Sequence, residues 1–106
     1  MVTTLAGEGS ADFLDGEGIS AKFYFPSGVA VDKNGNVYVA DRGNYRIRKI
    51  TASGYVSTLA GDGSHTWLDA TGTLASFDGP WDVSVDLGGN VYVADTYNNI
   101  IRKIIQ

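Results

Sequence analysis

The chain has 106 residues, of which 43% are hydrophobic, so its length and composition suit one small domain with a buried core. Twelve acidic and eight basic side chains leave a formal charge of −4, which fits a nucleic-acid backbone poorly, and no apolar run is long enough to cross a membrane. Cysteine is absent and His65 is the sole histidine, which excludes disulfides, thiolate metal sites and multi-histidine sites within one chain.

The predicted elements are short β-strands joined by turns. A strand at 2–6 is followed by a long irregular connection over 7–26. Three strands come next, which we label a, b and c, at 28–32, 37–40 and 45–51. An Asn-Gly pair at 34–35 predicts a tight hairpin between a and b. A fourth strand, d, is predicted at 55–60, before a second long connection that ends at Pro80.

The same order then recurs, because the sequence repeats itself with a shift of 54 residues. Residues 2–52 align with 56–106 without a gap, and 28 of the 51 positions are identical. The recurring runs include TLAG, GNVYVAD and IRKI. The first repeat therefore covers about 2–55 and the second about 56–106, with strands a, b and c at 82–86, 90–94 and 99–105. The strand order is d-abc-d-abc, and a repeat of this size built from strands is typical of propeller blades.

The composition of the strands predicts how deeply each is buried. Strand b of the first repeat, VYVA, is apolar at every position, which indicates cover on both faces of the sheet. Strand c carries charged residues between isoleucines and is expected to lie further out. Its basic residues are therefore expected to serve cross-strand pairing and solubility, although a basic face that binds RNA is the alternative: Arg46, Arg48, Lys49, Arg102 and Lys103.

These motifs resemble the NHL repeat. The resemblance rests on PSGVAVD at 26–32, GNVYVAD at 35–41 and NYRIRKI at 44–50, together with their second copies, and it covers essentially the whole chain. It implies an all-β fold of two four-stranded blades per chain within a β-propeller, which is most often six-bladed in this family. The second copy departs from the first at several surface positions, such as Trp81 for Ser27 and Ile100 for Arg46.

Two blades alone leave sheet faces uncovered, so we expect the chain to associate with copies of itself. Packing two sheets together covers two of four faces, and large exposed apolar patches are uncommon on monomers. The N-terminal strand at 2–6 lacks its own a, b and c strands, while the last a, b and c strands lack a d strand. Strand exchange between copies would satisfy both ends. Three copies would close six blades and four would close eight, and three agrees with the resemblance.

The candidate binding residues lie on the face that carries the long connections and the turns between strands b and c. Aromatic side chains there could stack on a peptide or sugar, or could merely seal the loops onto the blades. Two aspartates in the turns could ring a pore mouth, or could stabilise Asx-type turns. The candidates are Tyr24, Tyr45, Trp67, Trp81, Tyr97, Asp41 and Asp95.

Metal and catalytic hypotheses are weaker. The loop carboxylates Glu8, Asp12, Asp15 and Glu17 could suit calcium but lack EF-hand spacing, and three copies of His65 could hold zinc only at a symmetry axis. We therefore expect no metal, no cofactor and no nucleic-acid or membrane partner. The leading hypothesis is a non-enzymatic, self-assembling propeller scaffold with ligand or protein binding on the loop face. The alternative is a lectin-like sugar- or peptide-binding module, or an enzyme whose site forms only in the assembled ring.

Overall fold

The computed structural model describes residues 1–106 and contains two antiparallel sheets without any α-helix. The first sheet has the order β1-β5-β4-β3-β2, and the second has the order β6-β7-β8. The strands are β1 (Gly16–Glu17), β2 (Pro26–Val31), β3 (Val37–Asp41), β4 (Arg46–Ile50), β5 (Tyr55–Ala60), β6 (Pro80–Val85), β7 (Val91–Asp95) and β8 (Ile100–Ile104). No helix in the structure is long and apolar enough to span a membrane.

The central strands fall where the sequence predicts strands a to d of the first repeat and a to c of the second. Most boundaries differ by one or two residues, and the starts of three strands have a clear structural reason. Strands β2 and β6 begin at Pro26 and Pro80, because a bulge lets each proline pair with the aspartate that ends the neighbouring strand. Strand β4 begins at Arg46 instead of residue 45, because Tyr45 adopts a left-handed conformation with a φ of 55° that leaves the ladder.

Residues 1–6, where the sequence predicts a strand that pairs with another copy, form no strand in the single chain. The edge of β8, where the first sheet has a fourth strand, has no neighbour. The long connection, expected to be irregular, contains β1, in which Gly16 pairs with Val56 and Glu17 with Tyr55. The equivalent residues of the second repeat, Ala70 and Thr71, form no strand. Their partner strand is absent from the second sheet.

The main core lies between the two stacked sheets. The first sheet contributes Tyr38, Ala40, Ile47 and Ala60, while Phe77 and the second-sheet residues Val83, Val91 and Val93 close the core from the other side. A second, smaller cluster covers the opposite face of the first sheet; its buried members are Ala21, Val39, Ile50 and Val56. Strand β3 thus has buried residues on both faces, as its continuous apolar run predicts.

Candidate functional site

A buried arginine anchors the first long connection to the sheet. Arg48 is fully buried, and its guanidinium donates to Asp41 at 2.7 Å and to Asp15 at 2.8 Å. It also donates to the carbonyls of Leu14 and Lys22 at 2.9 and 2.8 Å. This charge is therefore paired and hydrogen-bonded on all sides, which is the condition for burying an ion in a small core.

The second repeat forms an equivalent network around Arg102. We call each network a hub, which consists of the buried arginine, Arg48 or Arg102, and its acceptors. Arg102 donates to Asp95 at 2.8 Å, to Asp69 at 2.9 Å, and to the carbonyls of Leu68 and Ser76 at 2.9 Å. The expectation that the basic residues of β4 and β8 serve solubility is therefore wrong for Arg48 and Arg102. Alternation along each strand turns these arginines inward, where the long connection supplies acceptors that the strand pattern could not reveal.

The hubs also determine the placement of the two candidate aspartates. Asp41 and Asp95 are both fully buried. Besides the arginine, each accepts from an asparagine of its own turn, Asn44 at 2.7 Å or Asn98 at 2.8 Å. The second oxygen of each accepts backbone N–H groups just before the neighbouring strand, from Tyr24 for Asp41 and from Asp78 and Gly79 for Asp95. Both carboxylates are thus saturated by contacts within the chain, and neither lines an open cavity.

The acidic loop residues are also drawn into local contacts. Asp15 binds Arg48, and both its oxygens accept from the Thr58 hydroxyl, the closer one at 2.9 Å. The Ser10 hydroxyl and amide donate to Glu8 and lower the pKa of that carboxyl. Asp12 caps Phe13. His65 lies 3.9 Å from Asp78 and stacks near Tyr45. No group of three or more metal-ligating side chains comes together in the chain.

A third repeated feature stabilises each tight hairpin. Asp32 accepts from the Asn36 side chain at 3.0 Å and from the Tyr38 hydroxyl at 2.9 Å. Asn36 makes the largest contribution to lowering the pKa of Asp32 to about 2. Asp86 makes the matching contacts with Asn90 and Tyr92, and its pKa is lowered for the same kind of reason, led by the Asn90 amide. These carboxylates stabilise turns and do not face a cavity.

The open cavity on the loop-bearing side is aromatic, and we call it the aromatic cleft. It measures about 290 Å³ and lies between the two sheets. Three predicted residues, Tyr24, Tyr45 and Tyr97, line it together. The other lining residues are Phe25, Arg42, Gly43 and Asp78. The structure therefore places these three candidate tyrosines together and adds Arg42, which the sequence did not single out.

Trp81 joins the aromatic cleft from the side, whereas Trp67 does not. The Arg42 guanidinium lies 4.2 Å from the centre of the Trp81 ring, and Tyr97 meets the same ring edge-on at 6.4 Å. Trp67 instead lines a separate hollow of about 410 Å³ beside β8, together with Asp69, Ala70 and Ile101. The candidate residues thus divide into a cleft, a strand-edge hollow and two buried hubs.

The positions that form the aromatic cleft differ between the two repeats. More than half of the aligned positions are identical, and the arginine and aspartate of each hub are among them. In the cleft, by contrast, no aligned pair matches, so one chain carries one such cleft. This internal divergence is the signal by which Arg42 could have been found. The pairs are Tyr24/Asp78, Phe25/Gly79, Ser27/Trp81, Arg42/Thr96, Gly43/Tyr97 and Tyr45/Asn99.

The outer faces of the two sheets are open. Val29 in β2 is 65% exposed, whereas its equivalent Val83 in β6 is 7% exposed against the first sheet. On the other side, Ile101 in β8 is 74% exposed, whereas its equivalent Ile47 is fully buried. Each open face therefore repeats the residues of a face that is covered elsewhere in the same chain.

Two stacked antiparallel sheets, each centred on one copy of a 54-residue repeat, define a propeller-like repeat protein. The family model described as the NHL repeat matches residues 23–50 and 77–104, which together make up more than half of the chain. The chain belongs to the NHL repeat family.

Its relatives are longer proteins. NHL repeat-containing protein 2 of Homo sapiens is 37% identical over 93 residues, which is 84% of this chain and 13% of that protein. A probable peptidyl-alpha-hydroxyglycine alpha-amidating lyase of Caenorhabditis elegans is 35% identical over 78 residues, or 73% of this chain and 21% of the lyase. A crystal structure from Bacteroides thetaiotaomicron, of unknown function, superposes with a TM-score of 0.86 at 34% identity over 92% of this chain and 26% of the other. The chain therefore spans a minor part of each.

Proposed function

We propose that this chain is a non-enzymatic scaffold whose copies assemble head to tail into a closed propeller. In this assembly residues 2–6 of one copy form the missing outer strand of the second sheet of the next copy. The observation that carries the proposal is the unfilled edge of β8. The second sheet has three strands where the first has a fourth, β5, at the same edge.

The repeat determines how the exchanged strand would fit. In the first sheet Ile50 pairs with Val56, Lys49 with Ser57 and Arg48 with Thr58. A shift of 54 residues turns these pairs into Ile104 with Val2, Lys103 with Thr3 and Arg102 with Thr4 of a neighbouring copy. The valine position favours this arrangement, because Val56 is fully buried while Val2 is 97% exposed. Burying such a side chain contributes about 1.5–3 kcal/mol.

The hub of the second repeat supports the same register. Asp15 accepts a hydrogen bond from Thr58, whereas its equivalent Asp69 has only Arg102 and is largely exposed. Thr4 occupies the position equivalent to Thr58. In the proposed register the Thr4 hydroxyl of the neighbouring copy donates to Asp69. Residues 70–71, which are equivalent to β1, then have a strand beside them, just as β1 has β5 beside it in the first sheet.

Face packing favours a ring over an open chain of copies. The exposed face around Ile101 would cover the exposed face around Val29 of the next copy, repeating the contact that forms the main core. Copies joined head to tail form a closed ring when the rotation from one copy to the next is a whole fraction of 360°. Three copies give six sheets and four give eight; we favour three, because NHL propellers resembling this chain are most often six-bladed.

An enzymatic function is the competing hypothesis, since one relative is a probable amidating lyase. That name belongs to a protein of which this chain matches only 21%. The carboxylates of the hubs are engaged in structural contacts, and His65 is the sole histidine. A catalytic function would therefore need reactive side chains from outside this chain, whereas the scaffold hypothesis needs only further copies of it.

Solution mass tests the proposal through two matched variants. Light scattering of the full chain should give a mass near three chains. Val2→Lys places a charge at the position equivalent to buried Val56 and should reduce the mass to one chain. Thr3→Glu also introduces a charge, but at the position equivalent to half-buried Ser57 and directly opposite Lys103 in the proposed register, so it should leave the mass unchanged. A stable monomer of the full chain, or equal loss of mass in both variants, contradicts the exchange.

A further inference from the structure

Arg42 is the one arginine whose N–H groups find no hydrogen-bond acceptor within the chain. Arg46, Arg48 and Arg102 all donate hydrogen bonds within the chain. The Arg42 guanidinium makes no hydrogen bond or ion pair, and its Nε atom is buried without a partner. Buried donors without partners are uncommon in folded proteins and call for an explanation.

Arg42 lines the aromatic cleft and is held there by two aromatic rings. Its guanidinium lies over the Trp81 ring at 4.2 Å and 5.5 Å from the centre of the Phe25 ring. Aromatic contacts of this kind engage the flat face of a guanidinium, while its N–H groups remain available in the plane. Arg42 itself lines the cavity. A planar fork of donors held in this way matches the two oxygens of a carboxylate.

We infer that the aromatic cleft binds a small aromatic carboxylate, with the carboxylate on Arg42 and the ring among the tyrosines. Tyr24, Tyr45 and Tyr97 supply ring faces and edges for stacking. A volume of about 290 Å³ is at the small end for ligand pockets, which suits a single ring with a short acidic arm. Such a group is found both in a free aromatic acid and at the end of a peptide that finishes with an aromatic residue.

Backbone strain in Phe25 supports a binding role for the aromatic cleft. Phe25 has a φ of 51°, a conformation that bulky residues seldom adopt, and its side chain is exposed. Its equivalent in the second repeat is Gly79, whose φ is not positive. Strained residues cluster at ligand sites, where the surrounding structure holds them in place. Here the strain holds a ring against Tyr24 and beneath the Arg42 guanidinium.

Asp78 does not neutralise Arg42. It lines the same cavity, but its carboxylate lies 3.9 Å from His65, which stacks near Tyr45 at 5.4 Å. No ion pair joins Asp78 to Arg42. Because the chain as a whole carries a charge of −4, an anionic ligand would be repelled without a specific cation. A preference for the acid over its neutral amide would therefore report on Arg42.

The experiment measures the fluorescence of Trp81 during titration with N-acetyl-L-phenylalanine and, separately, with its uncharged amide. Trp67→Phe removes the other tryptophan, and phenylalanine already stands at the equivalent position, Phe13. The acid should change the Trp81 emission with saturation, and the amide should bind at least about tenfold more weakly. A short peptide whose last residue is phenylalanine with a free carboxylate tests whether the site takes peptide ends. If it binds as tightly as the acid, the site is assigned to peptide ends. If it binds more weakly, the site is assigned to free aromatic acids.

Matched variants separate this inference from the assembly. Arg42→Gln should weaken acid binding at least about tenfold, and threonine at the equivalent position 96 shows that the turn forms without an arginine. Arg46→Gln makes the same charge change outside the aromatic cleft and should leave binding unchanged. Equal binding of acid and amide, equal loss in both variants, or no saturable change overturns the proposal. The cleft lies within one chain, so the monomeric Val2→Lys variant should bind equally well, whether or not the ring exists.

Discussion

At the scale of single residues, a buried guanidinium supplements the few hydrophobic contacts that the first long connection makes with the sheet. Arg48 contacts the long connection at Leu14, Asp15 and Lys22, and the end of β3 at Asp41. The Phe23 ring lies 4.7 Å from the guanidinium. One side chain thus contacts the connection at three points, in addition to the pairing of β1 with β5. The arrangement depends on every acceptor remaining in place.

Replacement of Arg48 by methionine should therefore destabilise the chain strongly. It leaves the Asp41 carboxylate buried without its counter-ion, and breaking a buried pair in this way costs about 3–5 kcal/mol. The midpoint of urea unfolding at a fixed protein concentration measures the loss. Arg46→Met is the control, since an isoleucine occupies the equivalent position 100, and it should cost about 1 kcal/mol or less. Similar losses in the two variants would argue against the hub.

The tight hairpin of the first repeat makes a pH-dependent contribution at the same scale. The pKa of Asp32 falls from 3.8 to about 2 in the folded chain, mainly through the Asn36 side chain. A lowered pKa means that the ionised form stabilises the fold. This contribution is complete above the unfolded pKa near 4 and is lost as the pH falls through about 2.

Titration of the Asp32 carboxyl carbon by NMR checks this expectation. The midpoint should lie near pH 2 in the native chain. Asn36→Ala should raise it toward the ordinary value, because it removes the side-chain donor while keeping the backbone amide. Asn34→Ala keeps the amide that Asn34 donates to Asp32 and should leave the midpoint nearly unchanged. A native midpoint near 4 is incompatible with the network.

At the scale of elements, local patterns predicted what local interactions determine. The Asn-Gly pair and the apolar runs placed β3 and β7 closely, because hairpin turns and two-sided burial leave clear marks in a sequence. Strand β1 could not be found this way. Its two residues, Gly16 and Glu17, have no apolar pattern and pair only because β5 presents a free edge.

The candidate site also has a part that local sequence patterns predict and a part that depends on tertiary contacts. The aromatic loop residues were predictable as a class, and the fold brings Tyr24, Tyr45 and Tyr97 together. The isolation of Arg42 and the burial of Arg48 were not predictable, because both depend on where the long connection folds back. An arginine in a strand between isoleucines looks exposed until its acceptors, up to 34 residues away along the chain, are located.

At the scale of the whole molecule, the offset of the repeat leaves complementary deficits. Residues 2–6 are equivalent in sequence to β5, the strand that lies beside β4 in the first sheet. The second sheet has no such strand beside β8. Residues at the exposed positions match residues that are buried at the equivalent positions. The same residue types thus occupy both the covered contact and the open one, and this match is what supports the proposed association of copies.

A disulfide placed across the proposed exchange should count the copies in the ring. Thr3→Cys with Lys103→Cys puts two cysteines directly opposite each other, about 4.5–5.5 Å apart between Cα atoms, and the chain has no others. Oxidation should give covalent species that end at a closed ring of three chains, separated on a non-reducing gel. Thr3→Cys with Lys49→Cys is the control, because Ser57 already faces Lys49, and it should stay mostly monomeric. Equal cross-linking in both pairs, or a disulfide within one chain, would show that residues 2–6 lie elsewhere.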